Sequence, residues 1–179
     1  MDKHFNENPV VSMRNISKSF GDKKVLSNVD FDLHKSEVHA LLGENGAGKT
    51  TLMNILYGMF PPSDGTISIN GKSYTNMTPK MAIDAGIGMV HQHFMLIEPL
   101  TVTENIILGY EEDTGLFLDR KTAREKIENL SKEYGLMIDP DARVEDISVG
   151  QQQRVEILKA LYRGADILIF DEPTAVLTP

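Results

Sequence analysis

The sequence predicts an α/β domain, and three observations carry that prediction. A short apolar run at residues 38–42 ends in the glycine-rich loop Gly43-Glu44-Asn45-Gly46-Ala47-Gly48, and a segment with helical spacing follows it. A second apolar run, residues 167–170, closes on two acids, Asp171 and Glu172. Between the two lies a long block whose apolar residues recur every three or four positions. Short apolar runs bounded by glycine or acid read as strands buried on both faces, and the three-to-four period reads as helix.

The remaining elements follow in order. Residues 10–16 and 25–33 alternate apolar and polar side chains, the second through Leu26, Val29, Phe31 and Leu33, with residues 20–24 as the turn between them. The helix after the glycine-rich loop spans residues 49–57 on Leu52, Ile55 and Leu56. Pro61, Pro62 and Gly65 break the chain, residues 66–69 form a short strand, and Asn70-Gly71 is a hairpin turn. Thr78-Pro79 opens a short helix to about Ala85, and residues 87–90 are a strand. Three helices complete the block: residues 103–108, 120–134 and 148–162. The second carries Ala123, Ile127, Leu130 and Tyr134 on one face, and the third a stripe of Val155, Leu158, Leu161 and Tyr162. Ser148 is the expected N-cap of the third and Gly164 its stop.

Composition narrows the function classes. With 179 residues the chain can bury a core of its own. No apolar run approaches the roughly 20 residues of a membrane-spanning helix, and the polar start, residues 1–8, has no secretory apolar core, so the cytoplasm is the expected compartment. The absence of cysteine excludes disulfides, thiolate zinc sites and thiol catalysis. A formal net charge of -8 without any basic run argues against a nucleic-acid partner.

The loop Gly43-Glu44-Asn45-Gly46-Ala47-Gly48-Lys49-Thr50 has the spacing of a Walker A phosphate loop. Glycines let several backbone N–H groups converge on one anion, and the helix that follows adds its positive end. Lys49 reaches the β- and γ-phosphates in such a loop, the Thr50 hydroxyl holds Mg²⁺, and Thr51 adds a further hydroxyl. At the second apolar run, Asp171 is placed to bind Mg²⁺ and Glu172 to orient or deprotonate an attacking water. Alone, that pair is equally a strand ending in solvated acids; the phosphate loop upstream favours the functional reading.

The stretch Ser148-Val149-Gly150-Gln151-Gln152-Gln153-Arg154 resembles the signature sequence of ABC ATPases, at a helix start about 20 residues before the carboxylate pair. The resemblance covers almost the whole chain. It implies a P-loop NTPase (RecA-like) core with an N-terminal antiparallel β subdomain and an inserted α-helical subdomain, truncated after the Walker B strand. The expected division is 1–92 for the core with its β subdomain, 93–164 for the helical subdomain and 165–179 for the return to the core. By the same resemblance Phe20 stacks on adenine, and Gln92 is the Q-loop glutamine that contacts Mg²⁺ or the attacking water. Ser148, Gly150 and Gln151 cap the γ-phosphate of a nucleotide held by a second, head-to-tail nucleotide-binding domain, and residues 173–179 begin the D-loop. The implied cofactors are ATP and Mg²⁺. The implied partners are that second domain, commonly fused in one chain, transmembrane permease subunits and, indirectly, an extracytoplasmic solute-binding protein. The implied location is the cytoplasmic face of the membrane.

Residues 91–109 and 148–179 look most like ATPases of simple-sugar and nucleoside importers. Val149 departs from the usual signature glycine and Thr178 from the usual D-loop aspartate, both in the manner of that branch. The family's switch-loop histidine lies beyond a further strand, so a nucleotide-binding module with little turnover is an alternative, as is a soluble non-transport ABC ATPase; no long heptad pattern supports the latter. His91 and His93 flank Gln92 with no third metal ligand suggested nearby, and read as loop or interface residues. The apolar run Phe94, Met95, Leu96 and Ile97 is either a docking segment for the membrane subunit or core.

Overall fold

Alternation in the first part of the chain builds a four-stranded antiparallel sheet. In the computed structural model, which describes residues 8–91, 94–110 and 120–171, β1 (Val11–Phe20) lies between β2 (Lys23–Leu33) and β3 (Asp64–Ile69), and β4 (Lys72–Tyr74) forms a hairpin with β3. Inward-pointing Val11, Met13, Ile16, Leu26, Ile67 and Ile69 are all buried. β1 runs past its expected end at Ile16 to Phe20. Its ladder with β2 shifts register three times on the way, and Asn15 (φ 54°) and Asn28 (φ 50°) take up the left-handed conformation. Such irregularities break the period-two signal and so hid the second half of the strand.

α1 (Lys49–Tyr57) follows the glycine-rich loop and buries Leu52, Ile55 and Leu56. α2 (Pro79–Asp84) starts at Thr78, whose hydroxyl accepts the Met81 N–H. These elements belong to the first of two compact units, residues 1–85; the second comprises residues 86–179.

In the second unit β5 (Ile87–Val90) and β6 (Ile167–Phe170) pair in parallel, which needs the long crossover that the intervening helices supply. Those helices are α3 (Val102–Ile107), α4 (Arg120–Glu133) and α5 (Val149–Tyr162), with a 3-10 turn at Val144–Asp146. Val102, Ile106, Ile107, Ala123, Ile127, Val155, Leu158 and Tyr162 form their common core. α4 buries Ala123, Ile127 and Ser131, while Tyr134 lies beyond the helix and is half exposed. α3 is fixed by a full capping box between Thr101 and Glu104.

β5 approaches α5 closely enough to require glycine. A Cβ at Gly88 would lie 2.7 Å from the Ala160 Cβ and 3.0 Å from the Ala165 Cβ. Gly88→Ala is expected to lower the unfolding free energy by about 2 kcal/mol through overpacking, read from a urea or thermal transition.

One expected element is absent. Residues 38–42 are not a strand: Val38 is fully exposed and Leu42 is 92% exposed. Local bonds take the chain elsewhere. Ser36 adopts a left-handed φ of 60°, the His34 N–H donates to the Glu37 carboxylate at 2.7 Å, and the Glu37 N–H returns to the His34 carbonyl. A run buried on both faces is a strand only where neighbours pair it, and no strand among the described residues does so.

Candidate functional site

The phosphate-loop residues belong to the first unit. Gly43, Glu44, Asn45, Gly46 and Ala47 are all exposed, and Gly48 is the buried N-cap of α1. Gly46 (φ 84°) and Gly48 (φ 92°) both adopt the left-handed conformation, which bends the loop over the helix start. A Cβ at Gly48 would lie 2.7 Å from Leu26 Cδ2 and 3.3 Å from the Val25 carbonyl oxygen, so β2 sets the depth of the loop. The Lys49 ammonium folds back to donate to the Gly43 carbonyl at 2.7 Å and the Glu44 carbonyl at 2.9 Å. No acidic residue stands in the first turn of α1, and no side chain caps it. The orphan N–H groups of that turn, the dipole and Lys49 give the loop an anion-binding character. Thr50 is exposed and Thr51 half-buried in the same turn.

Phe20 ends β1 in the same unit. Its ring is 48% exposed and meets Phe60 edge-on, with centroids 5.3 Å apart at 83°. Lys18 faces Leu26 across the β1–β2 ladder, and Leu26 is the side chain that Gly48 abuts. The end of β1 and the phosphate loop are therefore neighbours through one cross-strand pair.

The second unit holds the other predicted residues that are described. Ser148 caps α5 with a reciprocal box: its N–H and hydroxyl donate to Gln151 Oε1 at 2.9 and 3.0 Å, and the Gln151 N–H donates to the Ser148 hydroxyl. Gly150 has open space around it, and Val149 is 46% exposed. Asp171 follows β6, its N–H bonded to the Val90 carbonyl at 3.1 Å. Gln92, His93, Glu172 and the segment 173–179 lie outside the described residues.

Two arrangements were not read from the sequence. Glu156 of α5, only 7% exposed, accepts the Met95 N–H at 2.9 Å and sits 3.9 Å from the Lys159 ammonium. Lys159 also donates to the Met95 carbonyl at 3.4 Å, and burial holds its ammonium pKa below the usual lysine value. Asn105, 2% exposed, accepts the Ile97 N–H and donates to the Ile97 carbonyl. The backbone of this apolar stretch is thus gripped from inside, while Met95 is 65% and Ile97 45% exposed. The only sequence signal was polarity on the buried side of α5, at Glu156, and in α3, at Asn105.

Comparison with known proteins agrees with the geometry. The chain is 62% identical over 170 residues to a nucleoside import ATP-binding protein, NupA, of Lactococcus lactis subsp. cremoris, covering 95% of this chain and 34% of that protein. It is 56% identical to a guanosine import ATP-binding protein, NupO, of Bacillus subtilis, covering 95% of this chain and 33% of that one. The chain thus spans about a third of the length of these curated relatives. A crystal structure of a nucleotide-free ATP-binding cassette from an ABC transporter superposes with a TM-score of 0.83 at 27% identity, over 96% of this chain and 72% of that one. The family model described as ABC transporter matches residues 26–175, from the strand that sets the depth of the phosphate loop to beyond the paired acids. With that match the α/β fold, the phosphate loop and the signature-like helix start have one explanation: the chain belongs to the ABC transporter family of ATP-binding proteins.

Proposed function

We propose that this chain is the ATP-binding and ATP-hydrolysing motor domain of an importer for a nucleoside or simple sugar. The observation that carries the reading is the start of α1, where two left-handed glycines, an acid-free first turn and Lys49 converge. The names of the two bacterial relatives support a nucleoside as cargo.

In this reading residues 1–92 and 165–179 form the ATP-binding core and 93–164 the helical subdomain. Lys49 exchanges its carbonyl partners in the loop for the β- and γ-phosphate oxygens. Backbone N–H groups of residues 44–50 wrap the same oxygens, and Phe20 stacks on the adenine. The Thr50 hydroxyl and the Asp171 carboxylate are hard oxygen donors that fit Mg²⁺, with Gln92 as a third. Mg²⁺ held by these donors would supply neutralisation of the charge that develops on the phosphoryl group. Glu172 takes or orients the proton of the attacking water. On a second, head-to-tail domain, Ser148, Gly150 and Gln151 meet the γ-phosphate, which takes the place of the Gln151 carbonyl as acceptor for the Ser148 N–H and hydroxyl. Closure of the two domains drives transmembrane permease subunits fed by an extracytoplasmic solute-binding protein, and the motor sits at the cytoplasmic face of the membrane. Among the described residues no helix is long and apolar enough to cross a membrane.

MgATP titration and phosphate release test this. Lys49→Ala is expected to weaken MgATP binding about 10- to 100-fold, the range of one or two charge-assisted hydrogen bonds. Glu172→Gln is expected to keep binding and lower turnover by at least about 100-fold. A wild-type chain that is folded by circular dichroism and binds no MgATP would overturn the reading. Binding without turnover would leave a nucleotide-binding module.

A further inference from the structure

The loop after α1 is laced to the end of β1. The Lys18 ammonium donates to the Pro61 carbonyl at 2.6 Å, the Ser63 N–H to the Ser17 carbonyl at 2.8 Å, and the Ser19 N–H to the Ser63 hydroxyl at 3.1 Å. Within this lacing the Lys18 ammonium lies 5.2 Å from the Phe20 ring centroid and 4.9 Å from that of Phe60, and Phe60 meets Phe20 edge-on. Two side chains, Lys18 and Phe60, thus restrain the Phe20 ring, which still keeps about half its surface exposed. A flat apolar ring left half-exposed loses the burial it could have had in the core. Its edge partner and its cation fix its tilt, and each interaction is favourable only within a narrow geometry.

We propose that Phe60 and Lys18 are positioning residues for the nucleobase: they hold the Phe20 ring at the angle at which a purine stacks on it. The inference rests on the ATP-binding reading above and extends it to two residues that do not themselves contact the triphosphate. Phe60 and Pro61 belong to the segment that leaves α1, whose first turn carries Lys49 and Thr50. The helix that takes the phosphates therefore also sets the ring that takes the base. Lys18 adds a second tie, because its strand partner Leu26 packs on Gly48.

The test compares two ligands that differ in the base. Phe60→Leu keeps an apolar side chain in the loop, and Lys18→Met keeps the stem without the charge. Each is expected to weaken MgATP binding roughly fivefold, as loss of an aromatic or cation contact does. Affinity for inorganic tripolyphosphate, which carries no base, is expected to stay at the wild-type value, and Lys18→Arg to restore most of the MgATP affinity. Because the chain has no tryptophan, Phe20→Trp adds a single indole at the ring position, and with red-edge excitation that spares the tyrosines Phe60→Leu in that background is expected to lower its anisotropy. Unchanged MgATP affinity in Phe60→Leu and Lys18→Met, beside a Phe20→Ala chain that binds it more weakly, overturns the inference and leaves the proposed function standing. Equal weakening toward both ligands also overturns it, since the substitutions then act on the loop as a whole. A wild-type chain that binds neither ligand removes the proposed function and this inference with it.

Discussion

Gly48→Val is expected to abolish detectable MgATP binding and to lower the unfolding free energy by about 3 kcal/mol, combining left-handed strain with overpacking. Two costs meet at this position. A β-branched residue at φ 92° is strained wherever it stands, and the added Cβ would lie 2.7 Å from Leu26 Cδ2 and 3.3 Å from the Val25 carbonyl oxygen. Leu26 is only 5% exposed and cannot swing away without opening the sheet side of the core. The loop must lift off β2, and the first turn of α1 moves with it. Gly46→Ala separates the two costs. Gly46 has φ 84° but open space around its Cβ position, so the strain remains and the collision does not. That variant is expected to bind MgATP more weakly while losing only about 1 kcal/mol of stability. Paired urea transitions and MgATP titrations check both. Equal stability of Gly48→Val and Gly46→Ala would show that Leu26 does not set the depth of the loop.

Much of this was legible because it is local. The glycine-rich loop, the helix period after it and the Ser148–Gln151 cap are written in spacings of one to four residues, and the structure reproduces them. The alternation of β1 and β2 was legible until the ladder slipped at Asn15 and Asn28. Residues 38–42 failed for the opposite reason. Their composition describes a strand with partners on both sides, whereas the chain turns just before them at His34 and Glu37, and His39 pairs with the Glu37 carboxylate. Contacts between residues far apart in sequence were invisible. Nothing near Phe20 in the chain announces Phe60, and nothing near Met95 announces Glu156. The role of Gln92 rests on resemblance and that of Glu172 on its place beside Asp171 at the end of an apolar run, and both residues lie outside the described ones.

Glu156→Leu is expected to destabilise the second unit by about 2 kcal/mol, because it removes the buried member of a partly buried pair and the acceptor of a backbone N–H. The substitution leaves the partly buried Lys159 ammonium without its carboxylate and the Met95 N–H without its acceptor. Lys159→Met is expected to cost less, because Glu156 keeps its bond to the Met95 N–H and the methionine fills the stem's space. The two variants also differ in their response to pH. Burial lowers the folded-state pKa of Lys159, with the Glu156 carboxylate opposing it. Between that lowered value and the ordinary lysine value the unfolded chain binds more protons than the folded one, so this group makes stability rise with pH across that window. Removing the carboxylate lowers the folded pKa further and widens the window; removing the lysine closes it. In denaturant titrations at a series of alkaline pH values, the deficit of Glu156→Leu relative to wild type is therefore expected to shrink as pH rises, while Lys159→Met loses the contribution altogether. A deficit of Glu156→Leu that stays constant with pH would mean that the unsatisfied Met95 N–H, and not the stranded ammonium, sets the cost. Glu156 would then act on Met95 through that one backbone hydrogen bond, while Asn105 holds Ile97 independently.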